Sequence, residues 1–444
     1  MAIRCMAVAG ATCGSMAKMP YNRVLPVTSE RFLNHSATPA RPNKAPPPAM
    51  LLAAACRIVN TDGLAGLALR PLAQALDVSV TVLTQHYGIR ADVLAAICAA
   101  AAERDAAAHA GWRALLAQLP APLAPALAAD LIEAVLEDQA TRHRDLSVLF
   151  LEMLHASTWD DALRLAMAPW FAVRRDFWRD VGGQALVAPE LIACGWWHGY
   201  VIAEQAYGVV LDGVGPYRLL RRVCLQRIVA GGAAAAVPAA DATLFALLAR
   251  QMQQAAAAPA TPAPRRPDWY GAAARACGIR LAAQGVGALT HRAIAADIGI
   301  AHSTLSYRYP AQHDLVLAGL DSIIAHIVTA VDADDLDQLQ RLRTANDGSQ
   351  LDLARASLAV AIAATRMPDL AGCVADLRSR RGGNLVKVFS KYLPHAPGID
   401  ALAAHVVSMG LTGLTITEPL GAASEQSVAN AFAAAGRWLS GYSG

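Results

Sequence analysis

The segment Gly63–Leu94 returns without a gap as Gly285–Val316, 222 residues further along a chain of 444. Val59 pairs with Leu281, Leu64 with Val286, Arg70 with Arg292, Leu72 with Ile294 and Ala73 with Ala295. Further on, Leu76 meets Ile298, Val78 meets Ile300, Leu83 meets Leu305, Tyr87 meets Tyr309 and Asp92 meets Asp314. The matched positions are apolar or structural and most of the others differ, which is the pattern of two diverged copies of one scaffold. Any fold of this chain must therefore accommodate the same unit twice, once in each half.

The spacing within the unit predicts short helices. Leu51–Asp62 puts Leu52, Cys56 and Val59 on one side and stops at Gly63, a residue type suited to a helix C-terminus. A helix from about Leu69 to Leu76 follows, with Leu72, Ala73 and Leu76 inward. In the turn Asp77–Val78–Ser79, Val78 is the apolar plug and Ser79 is placed to cap the next helix, Val80–His86. Another helix begins near Arg90, with Asp92 where a negative charge suits the helix dipole. In the second copy Thr290 caps His291–Ile298, Gly299–Ile300–Ala301 makes the turn, and His302–Tyr309 follows. Hydrophobic residues reach 55%, much of that alanine, whereas aromatics are 6% and β-branched runs are scarce. The expected fold class is all-α.

Two short helices joined by a tight turn, the second presenting small polar side chains, follow helix-turn-helix logic. The second helix suits the major groove, and the first braces against phosphates. The candidate DNA-facing residues of the first unit are Arg70, Ser79, Thr81, Thr84, Gln85, His86, Tyr87 and Arg90. Those of the second are Thr290, Arg292, His302, Ser303, Thr304, Tyr307 and Arg308. A formal charge of +3 permits nucleic-acid binding without demanding it, but Arg265, Arg266, Arg275, Arg280, Arg292 and Arg308 outnumber Asp268, Asp297 and Asp314 around the second unit. A double-stranded DNA operator is the expected partner.

Both units resemble the DNA-binding domain of the TetR family of repressors. The family pattern runs from a helix-ending glycine through an R-x-I/L-A helix, a G-V-S turn and an L-Y-x-H-F recognition helix to a K-x-D-L start. Here the copies read GLAGLALRPLAQALDVSVTVLTQHYGIRADVL and GVGALTHRAIAADIGIAHSTLSYRYPAQHDLV. The departures are specific. The recognition-helix tyrosine is Thr84 in one copy and Ser306 in the other, with Tyr307 beside it; the turn glycine is Asp77 in the first, and the capping serine is Ala301 in the second. The first unit is expected to keep the better turn, the second the better cap and the more basic face. The resemblance implies two tandem modules, each a three-helix head on a helical ligand-binding and dimerisation body. It further implies a small-molecule effector, and either a homodimer or an intramolecular pseudo-dimer with one chain supplying both heads.

The division expected from composition is a basic arm over 1–48, a head at 49–108 and a body at 109–254. A Pro/Ala linker at 255–267, a second head at 268–330 and a second body at 331–444 follow. Body helices are expected near 112–119, 126–141, 144–157, 160–180, 188–211 and 217–230, then near 332–343, 350–366, 369–393, 398–417 and 425–440. Met153, His155, Trp159, Trp197, Tyr200, Met367 and Met409 are the candidate effector-lining residues. Eight cysteines form no C-x-x-C pair, no run is apolar over the roughly 20 residues a bilayer span needs, and no catalytic fingerprint occurs. The expectation is a cytoplasmic regulator that is not an enzyme and holds no metal or cofactor. Its alternative is a ligand-sensing helical protein that has lost DNA binding and acts through protein contacts.

Overall fold

A computed structural model describes residues 45–120, 123–231, 239–256, 268–331, 351–392, 399–421 and 428–440, and all regular secondary structure among them is helical. Most of the expected arm (1–48) and linker (255–267), and the helix expected near 332–343, lie outside the described residues. No helix among the described residues is long and apolar enough to cross a membrane.

The first half opens with α1 (Pro48–Asp62), α2 (Leu69–Ala75), α3 (Val80–Tyr87) and α4 (Arg90–Leu116). It continues through α5 (Pro125–Ala140), α6 (Arg144–Ser157), α7 (Asp161–Gln184), α8 (Pro189–Ala193), α9 (Trp196–Leu211), α10 (Gly215–Val229) and α11 (Ala239–Ala256). The second half holds α12 (Trp269–Gln284), α13 (His291–Asp297), α14 (His302–Arg308) and α15 (Gln312–Val331). After these come α16 (Leu353–Ala364), α17 (Ala371–Ser379), α18 (Gly383–Tyr392), α19 (Ala401–Thr417) and α20 (Val428–Ser440).

Three helix expectations are corrected. The helix placed at 112–119 is the end of α4, because the alanine-rich run from Ala95 to Ala110 contains no breaker. That continuity also carries α4 through the boundary placed at 108. The span 188–211 breaks at Gly195, which adopts φ 80°, a backbone geometry glycine tolerates best. The span 369–393 breaks at Gly382 (φ 78°), where a β-carbon would stand 2.5 Å from the Ala404 carbonyl oxygen.

In each half the head sits on a body helix: α1 packs on α6, and α12 packs on α16. The halves meet where α9 crosses α19 at backbone contact. A β-carbon on Gly199 would lie 2.6 Å from the Gly410 oxygen, and one on Gly413 would overlap the Gly199 carbonyl. Trp196 covers Gly410, is fully buried, and donates its indole N–H to the Val407 carbonyl at 3.3 Å. A buried ion pair, Arg378 on α17 to Glu204 on α9 at 2.8 Å, ties the halves further. Helix α11 packs against both α10 and α17, so it serves both halves rather than the first alone.

Candidate nucleic-acid interface

The two heads agree element by element at the spacing of the sequence repeat. A single 3-10 turn, Leu64–Gly66 in one and Val286–Ala288 in the other, follows the helix-ending glycine. Gly63 and Gly285 share φ 71° and near-identical ψ (−178° and −175°). Val78 N–H bonds to the Ala73 carbonyl at 3.0 Å, and Ile300 N–H bonds to that of Ala295 at 3.0 Å. Asp92 and Asp314 each accept a backbone N–H three residues upstream at 2.9 Å, from Ile89 and Ala311. Each head closes around a small apolar core: Leu72, Ala73, Val78 and Leu83 in the first, Ile294, Ala295 and Leu305 in the second, all nearly inaccessible.

Their capping differs. Ser79 accepts the Val82 N–H at 3.1 Å and so caps α3, while its counterpart Ala301 leaves α14 without a side-chain cap. Conversely Thr290 accepts the Ala293 N–H at 3.2 Å and caps α13, while Ala68 leaves α2 without one. The turn of the first head is the less comfortable of the two. Asp77 takes φ 53°, a left-handed conformation that crowds a β-carbon, where Gly299 takes φ 68° freely. The better turn expected of the first head is therefore not found at its tightest residue, and the better cap expected of the second is matched by one cap in each head.

The exposed faces also differ. On α3, Thr81, Gln85 and His86 are exposed, as are Arg70 on α2 and Arg90 at the start of α4. Thr84 is only half-exposed, and its hydroxyl donates back to the carbonyls of Val80 and Thr81 at 3.1 Å. The Tyr87 hydroxyl donates to the Pro46 carbonyl at 2.5 Å. Two of the residues assigned to the first DNA face thus have their hydroxyl protons engaged within the protein. On α14, His302, Ser303, Thr304, Tyr307 and Arg308 are all exposed, Tyr307 at 82%. The Arg308 guanidinium lies 5.5 Å from the Tyr270 ring centre, which steadies it without neutralising it. Arg292 is exposed, whereas Arg280 is held by Asp297 at 2.8 Å and so adds little free charge.

Between the heads lies a cleft of about 160 Å³, lined by both helix-ending glycines together with Glu152, His155, Trp159 and Arg366. Each half covers the turn of the other. Trp159, two residues past the end of α6, lies against Gly285; Arg366, two residues past the end of α16, lies against Gly63. Arg366 pairs with Glu152, which also accepts the Leu64 N–H, so a charged cluster ties down the first head. Burial raises the Glu152 carboxyl above its ordinary range, opposed by Arg366. The second head is tied by a neutral contact: His155 donates its Nε2–H to the Ala282 carbonyl at 3.1 Å. Burial pushes His155 down to about 4, so it stays uncharged near neutral pH.

Of the candidate effector residues, His155 and Trp159 line this cleft, and Trp197 lines a separate one between α7, α8 and α9. Met153, Tyr200 and Met409 are enclosed in the core, and Met367 packs half-buried against it. The set does not converge on one cavity. Glu152 and Arg366 escaped the candidate list because their pairing joins positions 214 residues apart, with no local spacing to announce it. Among known proteins, no family model and no curated protein matches the chain.

Proposed function

We propose that the protein is a transcription regulator built from two TetR-like modules in tandem, acting as an intramolecular pseudo-dimer on double-stranded DNA. The observation that carries this reading is the second head, in which a two-helix turn unit presents His302, Ser303, Thr304, Tyr307 and Arg308 together on an exposed helix face. Those side chains supply donors suited to phosphate oxygens and to the purine edges of the major groove. Arg292 and the backbone N–H groups at the start of α13 brace the phosphates. The first head supplies Thr81, Gln85 and His86 with Arg70 and Arg90. The two helices carry different side chains, so the operator is asymmetric. A small-molecule effector held in the bodies shifts the head geometry and releases DNA.

Selection of bound sequences from random duplexes tests the reading. An asymmetric site bound by one chain supports it, whereas a perfect palindrome bound by two chains overturns the pseudo-dimer. Arg292→Ala is expected to reduce the slope of log affinity against log salt by about 1. Absence of affinity for any duplex at low salt instead favours a ligand sensor that works through protein contacts. The engaged hydroxyls of Thr84 and Tyr87 favour a weaker version of that alternative, in which only the second head reads DNA.

A further inference from the structure

The cleft that Trp197 lines has a chemistry of its own. It encloses about 290 Å³ and is lined by Arg175, Arg179, Ile192, Trp197, His198 and Thr417, among others. Two arginines on α7 share one carboxylate, Asp176, each at 3.2 Å, so one positive charge is left over. Helix α9 begins here without a side-chain cap on Gly195, which puts the positive end of its dipole at this end of the cleft. His198, in that same turn, is only 7% exposed, and its Nε2 has no hydrogen-bond partner. Burial and the neighbouring arginines Arg175 and Arg174 drive His198 down to about 3, so it is neutral and offers an N–H rather than a charge.

We infer that this cleft binds the carboxylate of a small apolar organic acid. The carboxylate sits against the start of α9, held by Arg175, Arg179 and the Nε2–H of His198. The volume decides between a bare ion and an organic acid: a water-sized ion fills about 30 Å³, and the rest of the lining is Ile192, Ala193, Gly195, Trp197 and Thr417. Thr417 comes from the end of α19, so the occupant touches both halves of the chain where they cross. Its role as an effector rests on the regulator reading; the binding itself does not.

Calorimetric titration of the full chain with benzoate and with hexanoate, without DNA, tests the site. At least one of the two is expected to bind in the millimolar range or tighter, and benzamide, which lacks the charge, is expected not to bind. Arg179→Ala alters an exposed side chain and should weaken binding by about tenfold. His198→Phe keeps the ring stacked edge-on against Phe171 and should abolish binding, with an unchanged thermal midpoint as the control for folding. Three results overturn the inference: neither acid binding, binding indifferent to both substitutions, or inorganic phosphate competing as well as the organic acids. Carboxylate binding in a protein with no DNA affinity would remove the regulator reading and leave the site standing.

Discussion

The two heads share a backbone and differ in what holds them. The first is fastened from outside, by Glu152 and Arg366 from the two bodies, and two of its hydroxyls are engaged within the protein. The second is held from outside by the neutral His155 contact and is also fastened from within. Gln312 bonds the carbonyls of Val286 and Leu289 at 3.2 and 2.9 Å, and Arg280 pairs with Asp297. The residue at the position of Gln312 in the first head is Arg90, which lines the cleft instead. A duplicated scaffold thus keeps its geometry while its copies exchange internal support for external support, and the copy with internal support has the freer surface. On the proposed function, the second head is the principal reader and the first is the anchor.

The largest effect that can break this contrast is loss of the external fastening. Arg366→Met leaves Glu152 buried without its cation and should cost about 3–5 kcal/mol, read by denaturant unfolding. Loss of protection from hydrogen exchange should be concentrated in α1 and the Gly63 turn. Equal loosening of α12 would mean that the heads are not separately held.

Acidification comes next. His155 has a folded-state value near 4 against 6.5 for an ordinary imidazole. Between those values the unfolded chain takes up a proton that the folded chain refuses, so stability is lost as pH falls from 6.5 toward 4. By linkage this amounts to about 3 kcal/mol. His109, also near 4, adds to the same limb. His155→Phe should flatten part of that limb and release the contact to Ala282, loosening α12 in preference to α1. A pH dependence unchanged by the substitution would refute the role given to His155.

Smaller effects come from the exchanged caps. Ser79→Ala and Thr290→Ala should each cost about 1 kcal/mol, and Ala301→Ser should recover a similar amount by capping α14. Global unfolding measured on each variant checks the sign. The smallest change concerns the turn: Asp77→Gly should stabilise the first head by up to about 1 kcal/mol, and Gly299→Asp should destabilise the second by a similar amount. Loss of stability on Asp77→Gly, or none on Gly299→Asp, would refute the strain assigned to the left-handed turn position.

The heads were legible in the sequence because their determinants are local. Ser79 and Thr290 stand three residues from the amides they cap, and Gly63 and Gly285 stop the helices they follow. The repeat added a second, independent reading of each position. What stayed hidden depends on distant partners. Nothing near Tyr87 in the sequence points to Pro46, 41 residues away. Trp197 and Tyr200, both expected to line an effector site, divide: Tyr200 fills the core and Trp197 lines a cleft, while Trp196 beside them seals the crossing with α19. That cleft depended on Gly195 breaking a span read as one helix, which lets α9 begin beside it.

The crossing of α9 and α19 has a consequence for how such a molecule can change over time. In a symmetric dimer of identical chains every substitution appears twice, so a change that suits one side of the interface is imposed on the other. Here Gly199 meets Gly410 and Gly413 within a single chain, and dilution cannot part them. Each side of the contact is written once and can drift alone. Release from that doubling is what lets α3 carry VTVLTQH and α14 carry HSTLSYR on a common frame.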